Sequence, residues 1–213
     1  RLLYERILKS YNNGDSLPEN STSRAIYIRH INCCWNWGLK HGLIDNANKL
    51  SGDTIGEARD RVFNKNELET LFLSVKCSNF NRFIHFAYYT GARSSEIRSL
   101  RRENIKDEYL ITHGKSGKRM VKLNDQAIQV LKGQGSLWNY SKDFISHKFK
   151  KECRKLNIRD ARFHDLRRTF GYNLIKQGMS IYKVSKLLGH SSVRTTEKHY
   201  APLMATDIEE FVL

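Results

Sequence analysis

The residues of this sequence that could do chemistry are mostly cationic. His164 and Arg167 are three residues apart, so on a predicted helix both project from one face, beside the free N–H groups of the helix N-terminus. This arrangement suits a phosphate, although an HxxR pair alone is more often a solvated basic helix start. Arg93 and Glu96 have the same spacing, and that pair alone is more often a structural ion pair.

Two further candidates lie near the end of the sequence. His190 follows a glycine that ends a predicted helix, and Tyr200 comes ten residues later, at the end of the next predicted helix. Taken alone, a tyrosine at that position more often covers the core.

Two other kinds of site are not supported. The GKS at 114–116 is not a P-loop, because position 109 is Tyr where that motif needs glycine, and because the segment joins two predicted strands. Most Asp and Glu residues are scattered singly in the sequence, so we expect no metal site of the two-metal nuclease kind. We therefore expect neither ATP nor a metal ion to take part.

Taken in chain order, these motifs resemble the tyrosine recombinase or phage integrase family. The segments that carry the resemblance are TGARSSEI (90–97), a hairpin-turn lysine, HDLRRTF (164–170) and LLGHSSVRTTEKHY (187–200). The resemblance implies a mainly α fold with a small antiparallel β-sheet. It also implies a catalytic domain over 63–213, a linker over 56–62, and over 1–55 part of a helical, SAM-like core-binding domain that ends in WNWGLKHGLI (35–44).

The resemblance also implies the site residues. The catalytic set is Arg93, Lys115, His164, Arg167, His190 and Tyr200, with Glu96 at the family's supporting acidic position. Tyr200 would be the nucleophile that forms a 3′-phosphotyrosine, with no cofactor. Two details depart from the commonest pattern: Tyr200 follows His190 by ten residues rather than nine, and Arg168 stands where many members have a second histidine.

These residue types suit phosphodiester cleavage. Two guanidinium groups can bind the non-bridging oxygens in bidentate fashion and stay charged at any relevant pH. A tyrosine hydroxyl has a pKa near 10 and needs a base, for which His164 is the candidate. Lys115 is the candidate acid for the leaving 5′-oxygen, although Lys118 and Lys122 lie in the same predicted hairpin.

The charge of the chain favours a polyanionic partner. The formal net charge is +15, and residues 61–213 contribute most of it, with 29 basic and 15 acidic side chains. Solubility or an anionic membrane surface are the alternatives on charge alone. The resemblance implies double-stranded DNA, a tetramer on two DNA sites, and a site-specific recombinase. A type IB topoisomerase-like enzyme and a DNA-binding accessory protein without catalysis remain as alternatives.

The elements that must position these residues are mostly helices. We predict helices over 1–12, from about Ser21 to His41, from Asn64 to about Lys76, and over 80–90, and a short one from Ser94. A hairpin over 109–123 follows, and the rest is helical, with Ser141 and Ser180 as N-caps and Gly178 and Gly189 as stops. The last two helices are expected over 193–200 and near 205–212.

Composition limits the class of protein. Hydrophobic residues make up 39% of the chain and charged residues 28%, which supports a packed core. The four cysteines form no CxxC pair, so we expect no structural zinc. No secretory signal precedes them, so we expect reduced thiols and a cytoplasmic protein. No apolar run is long enough to cross a bilayer. Because the sequence begins at Arg1 within a helical pattern, we expect a piece of a longer chain.

Overall fold

A computed structural model describes residues 21–51, 59–114, 117–132 and 135–205. The chain divides into two compact units, residues 1–58 and residues 59–213. The described residues are mainly helical with one two-stranded antiparallel sheet, which confirms the predicted fold class. No described helix is both long and apolar enough to span a membrane. The helix predicted over 1–12 lies outside the described residues.

The first unit contains helix α1, Ser21–Lys40, as predicted. The spacing of apolar residues predicts that Ile28, Ile31, Trp35 and Leu39 face inward. The first three are buried or half-buried, whereas Leu39 is exposed. The neighbouring residue Gly38 is buried instead, and the Ile44 side chain lies against the Gly38 α-carbon. After the helix, Gly42 has φ +62°, a left-handed conformation that glycine adopts without strain.

The second unit begins with three helices, and Arg93 lies directly before the third. They are α2 (Lys65–Ser74), α3 (Ser78–Thr90) and α4 (Ser94–Arg98), followed by a 3₁₀ turn over Arg102–Asn104. Asn64 and Glu67 form the predicted capping box at the start of α2. Gly91 ends α3 with φ +59°, and the Phe170 ring lies so close to it that a Cβ would overlap the ring.

A hairpin and five helices complete the second unit. They are β1 (Tyr109–Gly114), β2 (Gly117–Lys122), α5 (Asp125–Lys132), α6 (Lys142–Lys155), α7 (Phe163–Lys176), α8 (Ile181–Leu188) and α9 (Val193–Ala205). Ser141 and Ser180 cap α6 and α8 as predicted. Helix α9 is longer than predicted, because it continues past Tyr200 and through Pro202. The helix expected near 205–212 falls almost entirely outside the described residues.

Two apolar clusters hold the second unit together. The larger is rich in aromatic side chains from α3, α6 and the segment before α6, including Phe80, Phe83, Phe86, Trp138 and Phe149. The smaller lies between α7, α8 and α9 and includes Val184, Leu188 and Tyr200. Helix α7 packs against α3, α6 and α8, and Arg167 near its N-terminal end donates to the carbonyls of Gly91, just after α3, and Leu188, at the end of α8.

Candidate active site

The first candidate pair lies at the start of α4. The Arg93 backbone N–H donates to Glu96 Oε2 at 2.7 Å, and Arg93 Nη1 donates to Glu96 Oε1 at 2.9 Å. Glu96 is completely buried, and it also accepts from Arg119 Nη1 at 2.8 and 2.9 Å. Burial alone would raise the pKa of Glu96, but Arg119 and Arg93 together hold it below its ordinary value. The carboxylate is therefore ionised between two guanidinium groups.

Arg167 is fixed by backbone carbonyls. It is 4% exposed, and its two terminal nitrogens donate to Gly91 O and Leu188 O. These bonds use two of its five N–H groups and orient the plane of the guanidinium. Burial, with the charges of Arg93 and Arg119, lowers the pKa of Arg167 to about 9, so it remains protonated at neutral pH. The contact with Gly91 brings it close to the segment that carries Arg93.

His164 lies in the first turn of α7, where the neighbouring Asp165 secures the helix N-terminus. Asp165 is buried and accepts from the Arg162 backbone N–H at 2.8 Å, from Arg168 Nη1 at 2.6 Å and from Arg59 Nε at 3.3 Å. Burial lowers the pKa of His164 to about 4, and the nearby arginines lower it further than Asp165 raises it. At neutral pH this imidazole is uncharged and can accept a proton.

His190 follows the glycine that ends α8. Its Nδ1 lies 2.8 Å from Oγ1 of the fully buried Thr196, on the next helix. That contact occupies one ring nitrogen and leaves Nε2 as the nitrogen that can reach a ligand. Burial and the charge of Arg167 lower the pKa of His190 to about 4, so it too is neutral at pH 7.

Tyr200 points into the second unit from α9 and is 2% exposed. Its hydroxyl lies against the α-carbon of Gly171, where any side chain would overlap it. Burial raises the pKa of Tyr200 to about 12, against the opposing charges of Arg167 and Arg168. In this position the tyrosine is protonated, and its ionisation requires a base.

These groups converge on one small cavity of about 50 Å³. Its lining residues are His164, Arg167, Arg168, His190, His199 and Tyr200. Four of the residues predicted for the site therefore line a single space. Arg93 and Glu96 do not line it; Arg93 comes two residues after Gly91, whose carbonyl accepts from Arg167. Lys115 comes between the last residue of β1 and the first of β2 in the sequence, and it lies outside the described residues.

The family model described as the phage integrase family matches residues 61–206. This is more than half of the chain, and it includes every residue of the candidate site. The chain belongs to the phage integrase family. It is a tyrosine recombinase, as the sequence motifs predicted.

Curated relatives of the same family agree with this assignment. A tyrosine recombinase of Thermosipho africanus (strain TCF52B) is 28% identical over 97% of this chain and 81% of the relative. The tyrosine recombinase XerA of Saccharolobus solfataricus (strain ATCC 35092 / DSM 1617 / JCM 11322 / P2) is 30% identical over 56% of this chain and 44% of the relative.

Solved integrase structures share the fold. A lambda integrase dimer bound to a COC′ core site superimposes with a TM-score of 0.72 at 17% identity, over 99% of this chain and 66% of the other. The Tn1549 transposon integrase in complex with circular intermediate DNA gives a TM-score of 0.64 at 15% identity, over 96% of this chain and 83% of the other.

Sequence reasoning missed several polar residues of this tyrosine recombinase site. Arg119, Asp165 and Thr196 each contact a predicted site residue or hold its helix, and His199 lines the cavity with a buried Nδ1 that has no partner in the described structure. Asp165 lies inside the HDLRR motif and could have been found there. Within the described residues, no three His, Cys, Asp or Glu side chains are grouped to hold a metal ion.

Proposed function

We propose that this protein is a site-specific DNA recombinase that cuts and rejoins strands through a 3′-phosphotyrosine intermediate. The observation that carries the proposal is that Arg167, the neutral His164 and His190, and Tyr200 line one cavity. Membership of the tyrosine recombinase family supports the same reaction. No observation favours the topoisomerase or the non-catalytic accessory protein.

Arg93 and Arg167 bind the scissile phosphate. Arg167 keeps three N–H groups after its two carbonyl bonds, and the Arg93 guanidinium keeps donors beyond its one bond to Glu96. Paired guanidinium groups stabilise the charge that builds on the non-bridging oxygens during attack. His190 Nε2 adds a hydrogen bond to the same phosphate.

Proton transfer completes the reaction. Neutral His164 takes the proton from Tyr200 as its oxygen attacks phosphorus, and the 3′-phosphotyrosine bond forms as the bond to the 5′-oxygen breaks. Lys115 gives a proton to the departing 5′-oxygen. The covalent bond conserves the energy of the phosphodiester, so that religation needs no ATP, and the cationic residues stand where other enzymes use a metal ion.

Double-stranded DNA is the proposed partner, and a tetramer on two DNA sites the proposed assembly. The lambda and Tn1549 integrase structures that share this fold are complexes with DNA, and the charge of the second unit favours the same partner. We also propose the domain limits 1–55, 56–62 and 63–213, with the reaction taking place in the cytoplasm, where bacterial DNA lies.

The decisive experiment traps the covalent intermediate. Duplex DNA with a nick beside the cleavage site loses a short 5′-hydroxyl fragment after cleavage, so that religation fails and the adduct accumulates. We expect an adduct with the wild-type chain in excess EDTA, and we expect Tyr200→Phe to abolish it while DNA binding changes by less than about twofold.

Tyr172→Phe and Tyr182→Phe are the matched controls, because both tyrosines lie in the same region of the chain but are not placed at the cavity. Both should form the adduct at the wild-type rate. An adduct that persists in Tyr200→Phe and maps to either of them would refute the assignment of the nucleophile. Activity that EDTA removes and only Mg²⁺ restores would refute cleavage without a metal ion by the two arginines.

A further inference from the structure

Arg119, on β2, has no role in the mechanism above. Its side chain contacts residues of two other elements, α4 and α8. Its Nη1 donates to both oxygens of Glu96, at 2.8 and 2.9 Å, and its Nη2 donates to Leu187 O at 2.7 Å. Glu96 lies on α4 beside Arg93, and Leu187 lies on α8 just before His190. One guanidinium therefore links the hairpin to the two segments that carry Arg93 and His190.

The chain is built closely around this side chain. Arg119 is 10% exposed at its side chain, and the Glu96 side chain is fully buried. Gly189 lies directly against Arg119, so that a Cβ at this position would overlap its Nε and Cδ atoms. The same glycine has φ +62°, and both constraints exclude a larger residue at the turn that precedes His190.

The charges explain why a second arginine is needed here. A buried carboxylate with Arg93 as its only cationic partner would neutralise Arg93 and hold its guanidinium to itself. With Arg119 also bound, one negative charge is shared between two positive ones, and the group retains a net positive charge. Arg93 is then oriented by Glu96 without losing its attraction for a phosphate.

We propose that Arg119 is a positioning residue for strand cleavage, acting through Glu96 to orient Arg93 toward the scissile phosphate. This inference rests on the proposed function. Lysine would replace Arg119 only in part, because its single ammonium lacks the planar, two-pronged group that binds the carboxylate and the carbonyl of a different element together.

The test measures the rate constant and the amplitude of adduct formation in single turnover on the nicked DNA. We expect Arg119→Met to lower the rate constant by about 10²-fold, the size expected for misplacing a reacting group by about 1 Å, with the dissociation constant for DNA changed less than threefold. Arg119→Lys should fall between Arg119→Met and wild type. A loss of amplitude at an unchanged rate constant would mean partial unfolding, and would overturn the proposal.

Lys122→Met is the matched control, since it removes one positive charge from the same strand. Lys122 is exposed, pairs with Glu108 and lies at the end of β2 away from the turn. It should cleave within about threefold of wild type. An equal loss in Lys122→Met and Arg119→Met would assign the effect to net charge, and would contradict a positioning role.

A double variant identifies the residue through which Arg119 acts. If Arg119 works through Arg93, the pair Arg93→Met and Arg119→Met should cleave within about threefold of Arg93→Met alone. If the double variant instead loses the product of the two single-variant losses, Arg119 does not act through Arg93. If Arg119→Met does not fold, Arg119→Lys decides, and a wild-type rate for it overturns the inference. The proposed function itself fails only if the wild-type chain forms no adduct, and the inference then falls with it.

Discussion

At the scale of single residues, the site keeps its histidines uncharged and its arginines charged. Burial depresses the pKa values of both His164 and His190, and Arg167 depresses both further. A neutral His164 can take the tyrosine proton, whereas a protonated one could not. The cost is that these imidazoles resist protonation as long as the chain is folded.

We therefore predict a loss of stability in mild acid. Both histidines have folded-state pKa values of about 4, below the ordinary value of 6.5, so the unfolded chain binds more protons between these limits. Their contribution to the free energy of unfolding is complete above pH 6.5 and is lost as the pH falls toward 4. Chemical denaturation of the wild type at pH 7.5 and pH 4.5 measures this loss.

Comparison of variants isolates the contribution of the two histidines. The double variant His164→Asn, His190→Asn should lose less stability between the two pH values than wild type does. His147→Asn, which removes an exposed histidine on α6, should behave as wild type. An unchanged loss in the double variant would show that other groups cause the acid sensitivity.

The assignment of Lys115 as the general acid makes a separate prediction. Lys115→Ala should slow cleavage by about 10²–10⁴-fold. A sulfur atom at the bridging 5′ position leaves as a thiol with a pKa near 8.5, which can depart without a proton, so the variant should cleave this substrate almost as fast as wild type. Arg93→Ala should gain no such rescue. Rescue of Lys118→Ala in place of Lys115→Ala would move the role to Lys118.

At the scale of elements, the close approach of α7 and α9 determines where Tyr200 lies. Gly171 on α7 leaves the space that the Tyr200 hydroxyl occupies. We predict that Gly171→Ala displaces this hydroxyl and lowers the rate of adduct formation by about 10²-fold without changing DNA affinity. Gly135→Ala is the matched control, because a Cβ there contacts nothing. A wild-type rate for Gly171→Ala would mean that cleavage does not use this position of Tyr200.

Local signals predicted the helix ends, while contacts between distant segments could not be predicted. The Asn64 capping box and the glycine stops depend on residues three or four positions apart, so the sequence displays them. The contact of Arg119 with Glu96 joins residues 23 positions apart, and its contact with Leu187 joins residues 68 apart. Neither separation reflects the repeat of a helix or a strand, so residue spacing in the sequence could not place Arg119 in the site.

The candidate site divides in the same way. The spacing of His164 and Arg167 predicts only that both project from one face of a helix, and such a pair alone is more often a solvated helix start. The contact between the Tyr200 hydroxyl and Gly171 depends on how α9 packs on α7, and no pattern in the sequence specifies that packing. For this reason the family resemblance, rather than spacing, supplied the full catalytic set. The roles of the individual residues stay predictions until variants are measured.

At the scale of the whole molecule, charge is the property that bears most directly on function. Residues 61–213 hold 29 basic and 15 acidic side chains, whereas residues 1–60 hold 8 and 7. The chain also divides into compact units close to this point, at residue 58. Most of the attraction to a polyanion therefore resides in the second unit, where the candidate site lies.

We predict that DNA binding by the full chain weakens steeply with salt. Each phosphate neutralised by Lys or Arg releases condensed counterions, and six or more such contacts would lower the affinity by about 10³-fold between 50 and 200 mM salt. Fluorescence anisotropy with a labelled duplex measures this slope, and Tyr200→Phe should show the wild-type slope, because the substitution removes no charge. Phosphatidylserine vesicles at equal phosphate concentration should compete poorly for the protein. Salt-independent DNA binding, or tighter binding to the vesicles than to DNA, would mean that the positive charge of the second unit is not used to bind DNA.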